Sequence, residues 1–434
     1  MTANPILPWS AIAVLLSLVP AFSQGLLTPP GPPGPTGKTL DQIEPRIDVQ
    51  RAVNPLPGDV STQYILGTPG SYYLSAPLAT TKATAIRITA SGVSLDLAGF
   101  PVSRASGVGG PGISISAGVA RTVVRDGSIT GFTTGLQATG ARGGSFSGLT
   151  VSGCTVLGIN AGDVWEITGC RAHDNGSTGI SGGESVTVRD CVAADNGSGG
   201  FTLLSSAVLD NCVATGNSGT SAIQTGSNAV LTACIAAGNT VATGIQASFG
   251  STLRDCVARD NTSAATISQG IFVNGQCVIT GCVASGNLSI NATLTGSTGI
   301  GIRVVGNATI LDCVARGNRG DGIQAGTNCI VRGNLCDTNG TVASDGAGLH
   351  ITSSGCRIEG NHLTSNRRGI VVDGDSNLII QNTAKGNAGF AYVIANDNHF
   401  GPVINRAGAG TAGFSGSAAA SNLTTTDPRA NFAH

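Results

Sequence analysis

The feature that most constrains this chain is a returning pair of residues. Cys170, Cys191, Cys212, Cys234, Cys256, Cys282 and Cys313 are each followed five residues later by an asparagine: Asn175, Asn196, Asn217, Asn239, Asn261, Asn287 and Asn318. The register continues with Asn334, Asn361 and Asn382 in the cysteine slot and Asn339, Asn366 and Asn387 five residues on. Successive slots are 21, 21, 22, 22, 26, 31, 21, 27 and 21 residues apart. A period near 21 with occasional insertions marks a solenoid, in which each repeat is one turn and buries its apolar side against its neighbours.

The residues around the slot say what kind of turn. Three positions before it stands an aliphatic residue (Ile167, Val188, Leu209, Leu231, Leu253), and two after it a small one (Ala172, Ala193, Ala214, Ala236, Ala258). Alternation with period two belongs to strands with one face inward. Beyond the second asparagine a glycine–aliphatic pair opens another strand, as in Gly179-Ile180, Gly244-Ile245, Gly270-Ile271, Gly299-Ile300 and Gly369-Ile370. Leucine-rich repeats share the period but need several leucines and a helical segment per repeat. A hexapeptide helix needs a six-residue period, which is absent. The remaining solution is an all-β, right-handed, single-stranded parallel β-helix of about 13 rungs with three short strands each. Stacked at about 4.8 Å, these give a rod on the order of 60 Å long.

The run Ile358-Glu-Gly-Asn361-His-Leu-Thr-Ser-Asn366, followed by Gly369-Ile370, resembles the right-handed β-helix repeat of the pectin-lyase-like superfamily. Lys38–Arg46 and Asp427–Phe432 resemble the ends of exported bacterial β-helix repeat proteins of unassigned function. The resemblance implies the fold for roughly 300 residues. It does not imply one reaction, because the superfamily holds lyases, hydrolases, epimerases, adhesins and tailspikes.

Residues 1–23 read as a signal peptide. Ala11–Pro20 is apolar but too short for a permanent span, and Ala21 and Ser23 supply small residues at the cleavage spacing. Residues 24–63 form a Pro/Gly linker and N-terminal cap, 64–404 the β-helix, and 405–434 a C-terminal cap or tail. A secreted, periplasmic or cell-surface protein with no membrane span after signal removal is expected. Net charge is −1 and no basic stripe appears, so nucleic acid is not an expected partner. Oligomeric state leaves no mark in the sequence.

The cysteine column reads as scaffold. The slot lies inside the bend between the second and third strands, where this repeat usually has asparagine, and cysteine fills that space as a small apolar residue. Side chains stacked in register point the same way, which puts Cβ atoms beyond the preferred disulfide distance. A straight column also cannot surround a zinc ion with four ligands. Cys277, Cys329 and Cys356, five before a slot, belong to the core as well. The redox states of Cys154, Cys329, Cys336 and Cys356 stay open. For the recurring asparagine two readings stand together: a ladder of stacked amides, or tolerance of a left-handed turn before glycine.

Function is expected at the insertions. Thr262–Gln269, Leu288–Thr298 and Gly340–Ala347 all fall between the second asparagine and the glycine–aliphatic strand, so they wall one edge of that strand's sheet. The outward residues there are Ser181, Thr202, Gln224, Gln246, Phe272, Gly301, Gln324, His350 and Val371, with Arg303, Thr352 and Asp373 two further along. Gln224, Gln246, Phe272, Arg303, Gln324 and His350 are the ligand-binding candidates, suited to sugar hydroxyls. The catalytic candidates are His350, Asp345, Asp373 and Arg303. Asp373-Gly-Asp375 begins like a calcium loop but lacks its glycine and distal glutamate, leaving Asp373 and Asp375 as weak Ca2+ candidates. The expectation is an extended carbohydrate bound on the loop-walled face, such as a polysaccharide or cell-surface glycan. Alternatives are a polysaccharide lyase, epimerase or glycoside hydrolase, or a structural or adhesive rod.

Overall fold

The computed structural model describes residues 46–434 apart from 107–108, 265–266, 291–298, 341–345, 406–412, 417–419 and 422–425. The signal reading, and the linker and cap reading up to residue 45, therefore lie outside the described residues. From Ile47 to Ala433 the regular structure is strand throughout, and every strand pairing is parallel. Among the described residues no helix is long and apolar enough to cross a membrane.

The chain winds through three parallel ladders. The first begins at Thr62–Leu66 and ends at Phe414–Gly416, with one strand per turn. It contains 16 such strands, so the 13 rungs expected from the spacing were too few. The early turns fit the repeat more weakly, and for a physical reason. In the early turns the slot column is filled by Gly127 and Leu149, and the next corner by Phe132, which are bulkier or smaller solutions to the same inner space. No cysteine–asparagine pair announces those turns.

Each later turn runs from the first ladder through a short strand such as Thr187–Arg189 into the bend at Cys191, then through Val192–Ala194 to Asn196. The core is a set of stacked columns: Ile167, Val188, Leu209, Leu231 and Leu253 on one wall, and Ala172, Ala193, Ala214, Ala236 and Ala258 on the next. All are fully buried. Small residues beside the bend let the third strand lie close, as interior packing at crystal-like density requires.

The asparagines form a ladder. Asn196 donates its backbone N–H (3.0 Å) and its Nδ2 (2.9 Å) to Asn217 Oδ1, and Nδ2 donates again to the Ala172 carbonyl (3.1 Å). The pattern repeats at Asn217, Asn239, Asn261, Asn287, Asn318, Asn339 and Asn366. Each buried amide is thereby satisfied inside the protein. The left-handed backbone falls on the residue before each asparagine, for example Asp174, Asp195 and Asp260. This decides between the two readings in favour of the ladder.

All twelve cysteines are free and buried. Cys154 heads the asparagine column, where its N–H donates to Asn175 Oδ1 (3.1 Å). At the slot corner, Cys170 N–H donates to Cys191 Sγ (3.4 Å) and Cys313 N–H to Asn334 Oδ1 (2.9 Å). At the third corner Cys329 N–H donates to Cys356 Sγ (3.3 Å), and Cys356 N–H to Asn377 Oδ1 (2.8 Å). One rule covers all three corners: the inner residue accepts the N–H of the corner one turn below. Asn does this best, and Cys does it weakly while filling apolar space. Cys336 differs, lying in the alanine column between Ala315 and Leu363.

The chain closes its own C-terminal end. Asn431–Ala433 lies between Thr383–Lys385 and Val403–Asn405, paired with both. Asn431 Oδ1 receives the N–H (3.0 Å) and Nδ2 (3.1 Å) of Asn382, so the last slot of the ladder is filled by the chain terminus.

Candidate functional site

The outer face of the first ladder carries one side chain per turn in strict register. Thr202 pairs with Gln224, Gln224 with Gln246, Gln246 with Phe272, Phe272 with Arg303, Arg303 with Gln324, Gln324 with His350 and His350 with Val371. From Thr202 to His350 these residues are half-buried, while Val371 is buried. Arg303 thus stands in the main column, where Gly301 was expected, and not two residues along. The segment Gly299-Ile-Gly-Ile302 offers two glycine–aliphatic pairs. The pair in register is Gly301-Ile302, because the glycine must lie against the amide ladder: a Cβ on Gly301 would come within 2.6 Å of Asn318 Nδ2. Gly270 meets Asn287 in the same way, at 2.5 Å.

The insertions act as a wall in their described parts. Thr262 pairs with Thr240 and with Leu288, and Ser263 with Ser289, extending the sheet beside the strand starts. Phe272 and Arg303 stack on the face, the guanidinium carbon 5.7 Å from the ring centroid. Gln246 Oε1 accepts the Ser221 hydroxyl (2.8 Å), which fixes its amide.

At the C-terminal end of this column the polar groups converge. His350 Nδ1 is 2.9 Å from Asp321 Oδ2, and Nε2 is 2.8 Å from Asp373 Oδ2. Asp321 is fully buried, His350 is 15% exposed and Asp373 is 59% exposed. Asp321 also accepts the Ala347 N–H on Oδ1 (2.7 Å) and Gln324 Nε2 on Oδ2 (3.2 Å). A carboxylate can only accept, so both imidazole nitrogens donate and the ring is cationic. Burial works against that charge, but the hydrogen bonds and charges of Asp321 and Asp373 outweigh it and raise the His350 pKa to about 9.

Of the four catalytic candidates, His350 and Asp373 meet. Arg303 is two turns away, about 10 Å along the axis, and Asp345 lies outside the described residues. Asp321 went unnoticed in the sequence. Its signal was available: it stands two before Ile323, at the position held by Ser221, Thr243 and Gln269 in other turns. It alone is acidic among those four. Among the described residues no three His, Cys, Asp or Glu side chains are grouped to hold a metal.

A profile of right handed beta helix regions matches residues 82–207, 156–293 and 264–407, which together span more than half of the chain. The chain belongs to the right-handed β-helix family. Among solved structures it is similar to a mannuronan C-5 epimerase A-module of Azotobacter vinelandii (16% identity, 72% of this chain and 90% of that one, TM-score 0.45). It is also similar to a double mutant of a periplasmic alginate epimerase (11% identity, 78% and 83%, TM-score 0.41) and to a pectate lyase (16% identity, 72% and 70%, TM-score 0.23). A search of curated proteins found no match. Likenesses this distant carry no argument about activity, which must come from the face itself.

Proposed function

We propose that this is an exported protein that binds an extended carbohydrate, a polysaccharide or cell-surface glycan, along the outer face of the first ladder. The observation that carries the reading is the unbroken column Gln224–Gln246–Phe272–Arg303–Gln324–His350, one amide, ring or cation per turn, beside the paired insertions. A turn rises about 4.8 Å, close to the rise of one monosaccharide in an extended glycan. Successive sugars can therefore meet successive side chains. Amides serve hydroxyls, Phe272 offers a face for an apolar sugar surface, and Arg303 and the His350 cation serve acidic substituents.

Affinity electrophoresis of the mature chain against a panel of neutral and acidic polysaccharides tests this. Retardation by at least one polymer, reduced about tenfold in Arg303→Ala, is expected. Unchanged mobility with the whole panel would sink it and leave a structural rod.

A second reading rests on the Asp321–His350–Asp373 cluster. A buried carboxylate orienting a charged imidazole is the arrangement of a positioned general acid. If exposed Asp373 swings away, Nε2–H can donate to a leaving glycosidic oxygen or an acidic substituent. Such an enzyme would lose its activity as pH rises through the imidazolium's pKa, which lies below the resting value of about 9 once Asp373 has moved away. New reducing ends or unsaturated products that disappear in His350→Ala would establish it.

A further inference from the structure

A second feature of the same face lies far from His350. Where the first ladder turns into the second, a cleft of about 400 Å³ opens between Asn160, Ser181, Thr202, Leu204, Arg142 and Asp163. Glycines form part of its floor: Gly140, Gly162 and Gly183 line it. A Cβ on Gly183 would come within 2.2 Å of Asp163 Oδ1, so the floor cannot be filled without displacing that carboxylate. Thr202 and His350 are six turns apart in the outward column, about 29 Å. The cleft is therefore a separate place on the rod.

Its polar groups are unsatisfied and convergent. The hydroxyls of Ser181 and Thr202 and the guanidinium of Arg142 have no hydrogen-bond or ion-pair partner among the described residues. Asn160 gives Nδ2 to Thr139 Oγ1 (3.1 Å) and keeps its carbonyl oxygen open. Asp163 receives the Glu184 N–H on Oδ1 (3.0 Å), which holds the carboxylate in the lining of the cleft. Leu204, 53% exposed, supplies an apolar wall. A carboxylate acceptor, an amide, two hydroxyls and a guanidinium around an apolar wall match adjacent hydroxyls and an apolar face of a pyranose.

Charge sets the class of sugar. Arg142 is the one cation lining the cleft, and Asp163 is in the lining too, with exposed Glu184 beside it. An acidic sugar would meet two carboxylates, Asp163 and Glu184, against one guanidinium, whereas a neutral one uses Asp163 as an acceptor. We propose that this cleft is a second carbohydrate subsite, specific for a neutral pyranose unit with adjacent hydroxyls. This deepens the carbohydrate reading and names a ligand class different from the one favoured at the cationic His350 end.

Saturation-transfer NMR of the full chain with neutral gluco-, manno- and galacto-trisaccharides, and with matched uronate trisaccharides, tests it. A trisaccharide cannot span the distance to His350. At least one neutral trisaccharide should bind, with a dissociation constant on the order of millimolar. Asp163→Asn, which keeps an oxygen for the Glu184 N–H, should weaken it about tenfold. Ser181→Tyr should fill the cleft and abolish it. Absence of transfer to every neutral trisaccharide, binding that survives Ser181→Tyr, or binding confined to uronates would each overturn the assignment. Long polysaccharide bound without any trisaccharide would sink the cleft alone. Trisaccharide bound without any polymer would sink the face-wide reading alone.

Discussion

At the scale of single residues, His350 links geometry to pH. Its folded pKa, about 9, lies above its ordinary 6.5, because two carboxylates hold the charged ring against burial. A raised pKa means that the native state binds the proton more tightly. Its contribution is fully present below about pH 6.5 and disappears as pH rises through about 9. We expect His350→Gln to cost about 2 kcal/mol at pH 6 and close to nothing at pH 10, read from urea denaturation of both proteins across that range. A constant difference would mean that the ring is neutral when folded. Asn239 is a second test. Its Oδ1 accepts two hydrogen bonds from Asn217, and its Nδ2 serves the Ala214 carbonyl and Asn261. Asn239→Ala leaves buried groups without partners on both neighbouring turns, which should cost about 2–4 kcal/mol. Cys256→Ala removes one apolar atom and should cost about 1 kcal/mol. If the two variants melt alike, the amide ladder is not the stabilising element described here. The asparagine column was visible in the sequence because its partners are copies of itself. Asp321 was not, because its partner His350 lies 29 residues away, with three strands between them.

At the scale of elements, the legible turns were those whose corners repeat one solution. From Cys170 to Asn387 the strand directions, inward columns and edge carrying the insertions can all be read from periodicity two and period 21. Where the corner is Gly127, Phe132 or Leu149 the fold is the same but the marker is gone, so those turns fit the repeat only weakly. The repeated Gly-Ile at 299–302 caused a different error: two phases of one strand fit equally by pattern, and only contact with Asn318 chooses between them. The terminal strand was legible as a resemblance but not as a fit, since pairing with Thr383–Lys385 spans 49 residues at the Asn382–Asn431 contact. That fit makes a prediction. Removing residues 427–434 strips Asn382 of its acceptor and exposes the backbone edge of Thr383–Lys385, which another chain can pair with. Light scattering should show the truncated protein associating while the full chain does not. A truncated chain of unchanged mass and melting temperature would show that Val403–Asn405 takes over the edge by itself.

At the scale of the whole molecule, the thiols report how the rod comes apart. In a solenoid each turn touches only its neighbours, so stability is a chain of local interfaces and not one undivided core. The cysteines sample that chain unevenly. Cys212 and Cys234 are in the middle, with many turns on either side. Cys356 has only the turns carrying Leu378–Ile380 and His399–Phe400 beyond it in its ladder. Burial keeps all twelve out of a reagent's reach. It raises the Cys154 pKa to about 11 and that of fully buried Cys336 further. A thiol reagent at neutral pH should therefore label almost none of them in the native protein, and each cysteine only when its own turns open. Pulsed labelling across a urea gradient, with the modified positions located by mass spectrometry, should find Cys356 first and Cys212 and Cys234 last. Simultaneous labelling of all twelve would mean that the amide ladder couples the turns into one cooperative unit. Rapid native labelling of the slot cysteines would show that their corner is open to solvent, and would remove the scaffold reading of the column.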